Sequence, residues 1–357
     1  MDIRTVPLPD GKKKAKFTDE SKLSFGRIFT DRMLMAEWKT DRGWFDARIE
    51  PYAPFLLDPA CMVLHYAQEI FEGLKAYRWL DGTIAIFRPE MNARRFNRSA
   101  DRMCMPELPE GLFIKGIEEL VRLEKEWVPS SPGTSLYIRP TMIAVEPVLG
   151  VKPSDHYYFY VILCPVGPYY PSGFNPVRIM VEDRYVRAVP GGTGDVKTGG
   201  NYAASLKAAL EAKKKGFDQV LWLDGALHRY VEEVGAMNMF FAYGDLLVTA
   251  PLAGSILNGI TRDSVFKLAD TLGFKVEERQ IDIRELIADI RSGKVTEAFG
   301  SGTAAVITPV GHLAYQEELY QIGDGGVGIL TQKLYDTLTG IQYGRIEDTF
   351  GWIRKIA

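Results

Sequence analysis

Two rhythms of apolar and polar residues alternate along the chain, and each predicts a different element. Ile84-Ala85-Ile86-Phe87 is a short continuous apolar run, the pattern of a buried strand, and Arg88-Pro89 ends it. From Glu90 to Met103 the apolar positions take helical spacing. A second amphipathic helix is expected from Gly116 to Trp127, with Ile117, Leu120, Val121 and Leu123 on its apolar side. Ser135 to Arg139 alternates and reads as a strand stopped by Pro140. Tyr157 to Val166 is the most apolar run; it is too short to cross a bilayer and reads as a buried strand.

The texture then changes. Pro165 to Gly173 is rich in proline and glycine and is read as the start of an interdomain connection. Beyond it helix and strand alternate: helix Tyr202 to Lys215 ended by Gly216, strand Gln219 to Leu223, helix Ile260 to Leu272, strand Lys275 to Ile281, helix Ile283 to Ile290, and a last long helix within Gly325 to Ile341. The expected class is mixed α/β (α+β) in both halves. No strand is followed by GxGxxG, which argues against a dinucleotide fold.

Composition narrows the classes. At 357 residues the chain is long enough for two domains, since single cores rarely grow past about 250–300 residues. A formal net charge of −3 provides no global pull toward nucleic acid or anionic lipid. The three cysteines, Cys61, Cys104 and Cys164, form no CxxC pair, and with four histidines no metal-ligand spacing arises. The N-terminal residues lack the apolar core of a signal peptide, so a cytoplasmic protein with no membrane segment is expected.

The densest chemistry lies in Gly191-Gly192-Thr193-Gly194-Asp195-Val196-Lys197-Thr198-Gly199-Gly200-Asn201-Tyr202, where glycine pairs bracket one lysine. A lysine so placed can cradle a phosphate or condense with a carbonyl cofactor. The phosphate loop GxxxxGK[ST] is nearly matched, but Val196 stands where its glycine belongs. Two further stretches could bind an anion: the helix start around Asn258-Gly259-Ile260-Thr261, and Gly300-Ser301-Gly302-Thr303-Ala304. An ordinary cap and an ordinary turn remain open readings of each. Asn92 to Arg98 carries several guanidiniums, suited either to a phosphate or to solvent. Glu232-Glu233 precedes an apolar run, so a carboxylate there is buried against a cation or closes an acidic turn. Tyr137, Arg139, Tyr169 and Tyr170 offer aromatic surface and a carboxylate fork, or simply a core.

Taken together these segments resemble a known family. Gly194 to Tyr202, Glu233-Val234-Gly235-Ala236-Met237-Asn238 and Phe299 to Ala304 are similar to the branched-chain amino-acid aminotransferases, which belong to the fold-type IV class of pyridoxal-phosphate enzymes. Phe25 to Asp31, Phe71 to Ala76, Tyr137 to Pro140 and Ile341 to Gly344 match in the same order. The resemblance implies a two-domain fold: a smaller N-terminal α/β domain (1–171), a connection (172–184) and a larger C-terminal mixed α/β pseudo-barrel domain (185–357). It implies pyridoxal 5'-phosphate as cofactor, no metal, and transamination of L-leucine, L-isoleucine and L-valine with 2-oxoglutarate by a homodimer.

The same resemblance assigns roles. Lys197 would bond the cofactor and shuttle the substrate proton. Glu233 would pair with the pyridine nitrogen and Tyr202 with the ring oxygen. Arg95, Ile260, Thr261 and Thr303 would hold the phosphate, with Arg187 beside the cofactor. Tyr137 and the Thr303-Ala304 turn would bind the substrate carboxylate, while Phe25, Tyr66, Phe71, Tyr169 and Ala236 wall the side-chain pocket. Arg139 would accept the distal carboxylate of glutamate. Animal members carry a cysteine pair just after this turn; here Ala304-Ala305-Val306-Ile307-Thr308 has none, so no thiol switch is expected. The rivals are a D-amino-acid aminotransferase or aminodeoxychorismate lyase of the same fold, and a non-catalytic phosphate-binding module.

Overall fold

The computed structural model describes residues 1–170 and 173–356. The chain forms two compact units, one of residues 1–169, 196–199 and 341–357, the other of 170–195 and 200–340. The boundary expected at 171/172 falls on residues outside the described ones. Mixed α/β structure, as expected, is found in both units.

In the first unit one sheet is built from β1 (Arg4–Thr5), β2 (Arg32–Lys39), β3 (Gly43–Pro51), β4 (Glu69–Phe71), β5 (Leu74–Arg78), β6 (Ile84–Phe87), β7 (Ser135–Ala144), β8 (His156–Val166) and a C-terminal strand, Ile353–Ile356. Its order is β1-β3-β2-β8-β7-β5-β6 and then the C-terminal strand, with β4 also on β7. The short helix α1 (Met62–Tyr66) precedes β4, and α2 (Pro89–Arg102) and α3 (Glu110–Leu123) complete the unit. Phe96 of α2, Phe113 of α3 and Phe159 of β8 meet with ring centroids 5.6–6.2 Å apart, all fully buried. α2 buries two stripes at i, i+3, i+7 spacing. One is apolar, Ala93, Phe96 and Ala100, and joins this core; the other is polar, Asn92, Arg95 and Ser99.

Two expectations are corrected here. β7 does not stop at Pro140 but runs through it to Ala144. Pro140 sits where the neighbour of β7 changes, from β5 at 136–138 to β4 at 141–143, so no ladder bond on that side needs its missing N–H. Its carbonyl accepts the Glu72 N–H at 2.8 Å. The second helix starts six residues earlier than its apolar stripe suggests. Pro109 stands at its N-terminal cap, where the first N–H groups need no helical partner, and the helix ends at Leu123 before a 3₁₀ turn, Lys125–Trp127.

The second unit has its own sheet: β9 (Val177–Glu182), β10 (Gln219–Leu223), β11 (Val231–Val234), β12 (Met237–Tyr243), β13 (Leu246–Thr249), β14 (Lys275–Glu278), β15 (Glu297–Gly302), β16 (Val306–Tyr315) and β17 (Glu318–Gln321). β11 pairs with both β10 and β12, so β9-β10-β11-β12-β15-β16 close into a ring, the barrel-like sheet expected. Around it lie α4 (Gly199–Lys214), α5 (Ile260–Thr271), α6 (Ile283–Arg291) and α7 (Ile329–Gln342). Ile283, Leu286, Ile287 and Ile290 give α6 its apolar stripe and join Phe241 and Leu313 in the core. Glu297 caps α7: its carboxylate accepts the Leu330 N–H at 2.9 Å and the Thr331 N–H and hydroxyl at 2.8 Å. α4 begins at Gly199, so its glycine pair lies in the first turn rather than before it. β14 ends three residues before the expected Ile281.

Gly116 on α3 approaches β2 so closely that a Cβ would stand 2.5 Å from Leu34 Cδ2, on a fully buried side chain. Overpacking costs about 1–3 kcal/mol, against a helix-propensity gain of about 1 kcal/mol. Gly116→Ala is therefore expected to lower the denaturant midpoint at unchanged m-value; a midpoint equal to or above that of the unaltered protein would contradict this packing.

Candidate active site

In the first unit the site is built around the lysine loop. The Lys197 N–H donates to Ser99 Oγ at 3.0 Å, and its carbonyl accepts the Phe71 N–H at 3.0 Å. The Thr198 hydroxyl donates to the Glu69 carbonyl at 2.8 Å. The backbone is thus tied to α2 on one side and β4 on the other. Lys197 Nζ then lies 4.7 Å from the centre of the Phe71 ring.

Behind it is Glu72, which sequence reasoning did not single out. Its carboxylate is fully buried and takes Arg95 Nε at 2.6 Å and Nη2 at 2.9 Å, Asn92 Nδ2 at 2.7 Å and the Gly73 N–H at 3.1 Å. Burial works against the charged carboxylate. The Arg95 charge and hydrogen bonds, with Lys197 and Asn92, outweigh it and hold Glu72 below the usual carboxylate range. Of the guanidiniums expected on α2, Arg94 is exposed while Arg95 is buried against Glu72. The polar stripe Asn92-Arg95-Ser99 was the available signal.

Phe71 is joined through Arg139 and Tyr137 to Phe25 and Tyr169. Phe25 packs edge-on to Tyr137 at 4.8 Å and to Tyr169 at 5.8 Å. The Arg139 guanidinium lies over the Phe71 ring at 4.6 Å and donates to the Tyr137 hydroxyl at 3.0 Å. A side chain at Gly73 would collide with that hydroxyl. Tyr66 is 39% exposed at the end of α1 and donates to the Leu149 carbonyl.

In the second unit the centre is Glu233, buried on β11. Its Oε2 pairs with Arg187 Nε at 2.8 Å; its Oε1 accepts Asn238 Nδ2 at 3.1 Å and the Leu257 N–H at 3.2 Å. Asn238 also donates to the Leu257 carbonyl at 2.9 Å and abuts Gly259, where a side chain would displace it. The acid is thereby locked to the segment that leads into α5. α5 begins at Ile260 and Thr261, with Gly259 at the cap and no side-chain capping bond, so its positive dipole end is set for an anion. Thr303 and Ala304 form the tip of the β15–β16 hairpin, half-buried, and Ala236 is exposed at the β11–β12 turn. Tyr202 is half-buried in the first turn of α4. Among the described residues no group of His, Cys, Asp or Glu could hold a metal, and no helix is long and apolar enough to cross a membrane.

The model of the family described as amino-transferase class IV matches residues 69–313. Branched-chain-amino-acid aminotransferase 2 of Bacillus subtilis is 53% identical over 345 residues, covering 97% of this chain and 95% of the relative. The branched-chain-amino-acid aminotransferase of Mycolicibacterium smegmatis is 51% identical, covering 93% and 92%.

The chain belongs to the class IV aminotransferases, among the branched-chain-amino-acid aminotransferases.

Solved structures agree. The Escherichia coli branched-chain amino acid aminotransferase superposes with a TM-score of 0.76 at 26% identity, covering 92% of this chain and 99% of that one. The Thermobaculum terrenum branched-chain amino acid aminotransferase in its PLP-form (holo-form) has a TM-score of 0.71 at 25% identity, covering 90% and 98%.

Removing the Glu72 charge while keeping its shape leaves Arg95 buried without its counter-charge. Glu72→Gln is expected to cost about 3–5 kcal/mol of stability, read from denaturant unfolding. Because the folded carboxyl is held low, its contribution is present above the ordinary carboxylate pKa and is lost as pH falls through the folded value. The gap between the two proteins should therefore narrow in acid. A constant gap, or none at neutral pH, would contradict the pairing.

Proposed function

We propose that this aminotransferase uses pyridoxal 5'-phosphate to move nitrogen from L-leucine, L-isoleucine or L-valine to 2-oxoglutarate, releasing the branched-chain 2-oxo acid and L-glutamate. The observation that carries the reading is the locked arrangement of Glu233, Asn238, Leu257 and the start of α5. It offers a fixed acid for a ring nitrogen and an uncapped helix end for a phosphate on one scaffold. The donor set fits the cofactor in two further respects. Ser301 Oγ, beside the Gly302-Thr303 turn, is buried without a hydrogen-bond partner among the described residues, and Lys197 lies in a loop held by two bonds of its own backbone and by the Thr198 hydroxyl.

When bound, the cofactor supplies an aldehyde that takes up amines and a protonated pyridine ring that accepts the electrons left when Cα loses its proton. Ile260, Thr261, Thr303 and Arg95 would hold its phosphate, Tyr202 its ring oxygen, and Glu233 its ring nitrogen. Asn238 and the Leu257 N–H keep Glu233 aimed, and Arg187 stands against it as its cation. Lys197 Nζ would take the proton from substrate Cα and deliver it to the cofactor's C4′, on the far side of the substrate nitrogen. Tyr137 and the Thr303-Ala304 turn orient the α-carboxylate. By the family resemblance, Phe25, Tyr66, Phe71, Tyr169 and Ala236 would wall the pocket for an apolar side chain. Arg139 has its fork beside Tyr137 for the second carboxylate of 2-oxoglutarate. Family membership supports a homodimer and a cytoplasmic location.

The test is a two-substrate assay with each L-amino acid and its D-enantiomer as donors. The L-branched-chain donors should support turnover, Lys197→Ala should show none, and Glu233→Ala should slow single-turnover loss of the Cα proton. Arg139→Met should raise KM for 2-oxoglutarate about 10–100-fold, the worth of a lost charge-assisted hydrogen bond, while the leucine half-reaction is unchanged. Turnover surviving in Lys197→Ala, or preference for D-donors, would overturn the assignment.

A further inference from the structure

Directly before Glu233 on β11 stands a second buried carboxylate, Glu232, 6% exposed, to which no role falls in the chemistry above. Its Oε1 accepts a hydrogen bond from the Ser255 hydroxyl, and its Oε2 is buried with no hydrogen-bond partner among the described residues. Ser255 is itself fully buried and faces two ways: its carbonyl accepts Arg187 Nη2 while its hydroxyl serves Glu232. Arg187 Nη2 also reaches the Gly194 carbonyl at 3.1 Å, and Arg187 Nε pairs with Glu233 at 2.8 Å. Gly194 lies so close to the Ser255 carbonyl that a side chain there would strike it, so the chain cannot shift to relieve a change at Ser255.

We propose that Glu232 is a positioning residue: through Ser255 it holds Arg187 against Glu233, and its own charge state sets how firmly Arg187 stays there. The inference rests on Glu233 being the ring-nitrogen acid only for its catalytic consequence, not for its geometry.

One guanidinium cannot serve two ionised carboxylates equally. Glu233 has the contact, with two further donors, whereas Glu232 reaches Arg187 only by its field and through Ser255. The charged groups acting on Glu232 are Arg187 from the segment after β9 and Asp224 from the turn after β10. Burial is the largest influence and pushes the Glu232 carboxyl up, with Asp224 adding to it; the Ser255 bond and Arg187 pull it down without cancelling the rise. A carboxyl raised in the folded state binds its proton more tightly there. Its ionisation therefore costs stability as pH climbs from the ordinary carboxylate range through the folded value. A protonated Glu232 leaves Arg187 to Glu233; an ionised one competes for it.

The experiment compares Glu232→Gln, Glu232→Ala, Ser255→Ala and the double Glu232→Ala/Ser255→Ala. The first readout needs no cofactor: melting temperature against pH. The advantage of Glu232→Gln over the unaltered protein should widen as pH rises above the ordinary carboxylate range. The second is the pH profile of kcat/KM with pyridoxal phosphate. Glu232→Gln should keep activity within about twofold and lose the part of the pH dependence that the unaltered protein shows as pH rises above the ordinary carboxylate range. Glu232→Ala should lose about tenfold in kcat at unchanged KM for leucine, the size of one lost hydrogen bond. The double variant should lose no more than the larger single loss, because both act along one path. A pH-independent melting difference for Glu232→Gln, or independent losses in the double variant, would overturn the proposal. An unaltered protein inactive with pyridoxal phosphate, yet showing the melting behaviour, would sink the proposed function and leave this inference standing.

Discussion

A carboxylate taken out of water must meet a cation or surrender its charge, and the architecture of both units follows from that rule. Glu72 is held by the two-pronged fork of Arg95, and Glu233 by Arg187. Neither pair stands alone. Asn92 and a backbone N–H complete the first; Asn238 and a backbone N–H complete the second. Such satisfied sets cost little once formed and a great deal when broken. They resist rotation, so each becomes a fixed reference against which a reactive group can be aimed.

Packing serves the same end. α2 can carry an Arg-Asn-Ser stripe into the interior only because its other stripe, Ala93-Phe96-Ala100, drives the helix onto the sheet. Burial of the apolar stripe stabilises the helix, and the polar stripe is carried in with it. Glycine provides the close approaches that side chains would forbid. At Gly73 its absence of a Cβ admits the Tyr137 hydroxyl, and at Gly259 it admits the Asn238 amide. Both lie beside groups to which the proposed function gives a part, and a bulkier residue at either would displace them.

Much of this was legible in the chain. Apolar rhythm located α2, α5 and α6 to within a residue or two at most ends, because their stripes begin and end with the helices. It failed where a boundary is set by something other than the stripe. Pro140 looks like a strand terminator, yet it occupies a gap between two neighbouring strands, a fact of pairing that no local pattern carries. α3 starts at a proline cap, and its buried face already includes Leu112 and Phe113, ahead of the stripe read from Ile117. The motifs brought Lys197, Glu233 and the α5 start to attention. Glu72 and Ser255 escaped, since an isolated acid and an isolated serine acquire meaning only from partners distant in sequence: 23 residues away for Glu72 and Arg95, and 23 for Ser255 and Glu232.

The proposed reaction turns on one covalent bond: Lys197, pinned by its backbone to α2 and β4, is the amine proposed to take up the cofactor. Borohydride reduction of the protein saturated with pyridoxal phosphate, followed by peptide mapping, tests this directly. One phosphopyridoxyl label is expected, on the peptide bearing Lys197. A label on any other lysine, or no stable label at all, would show the assignment to be wrong.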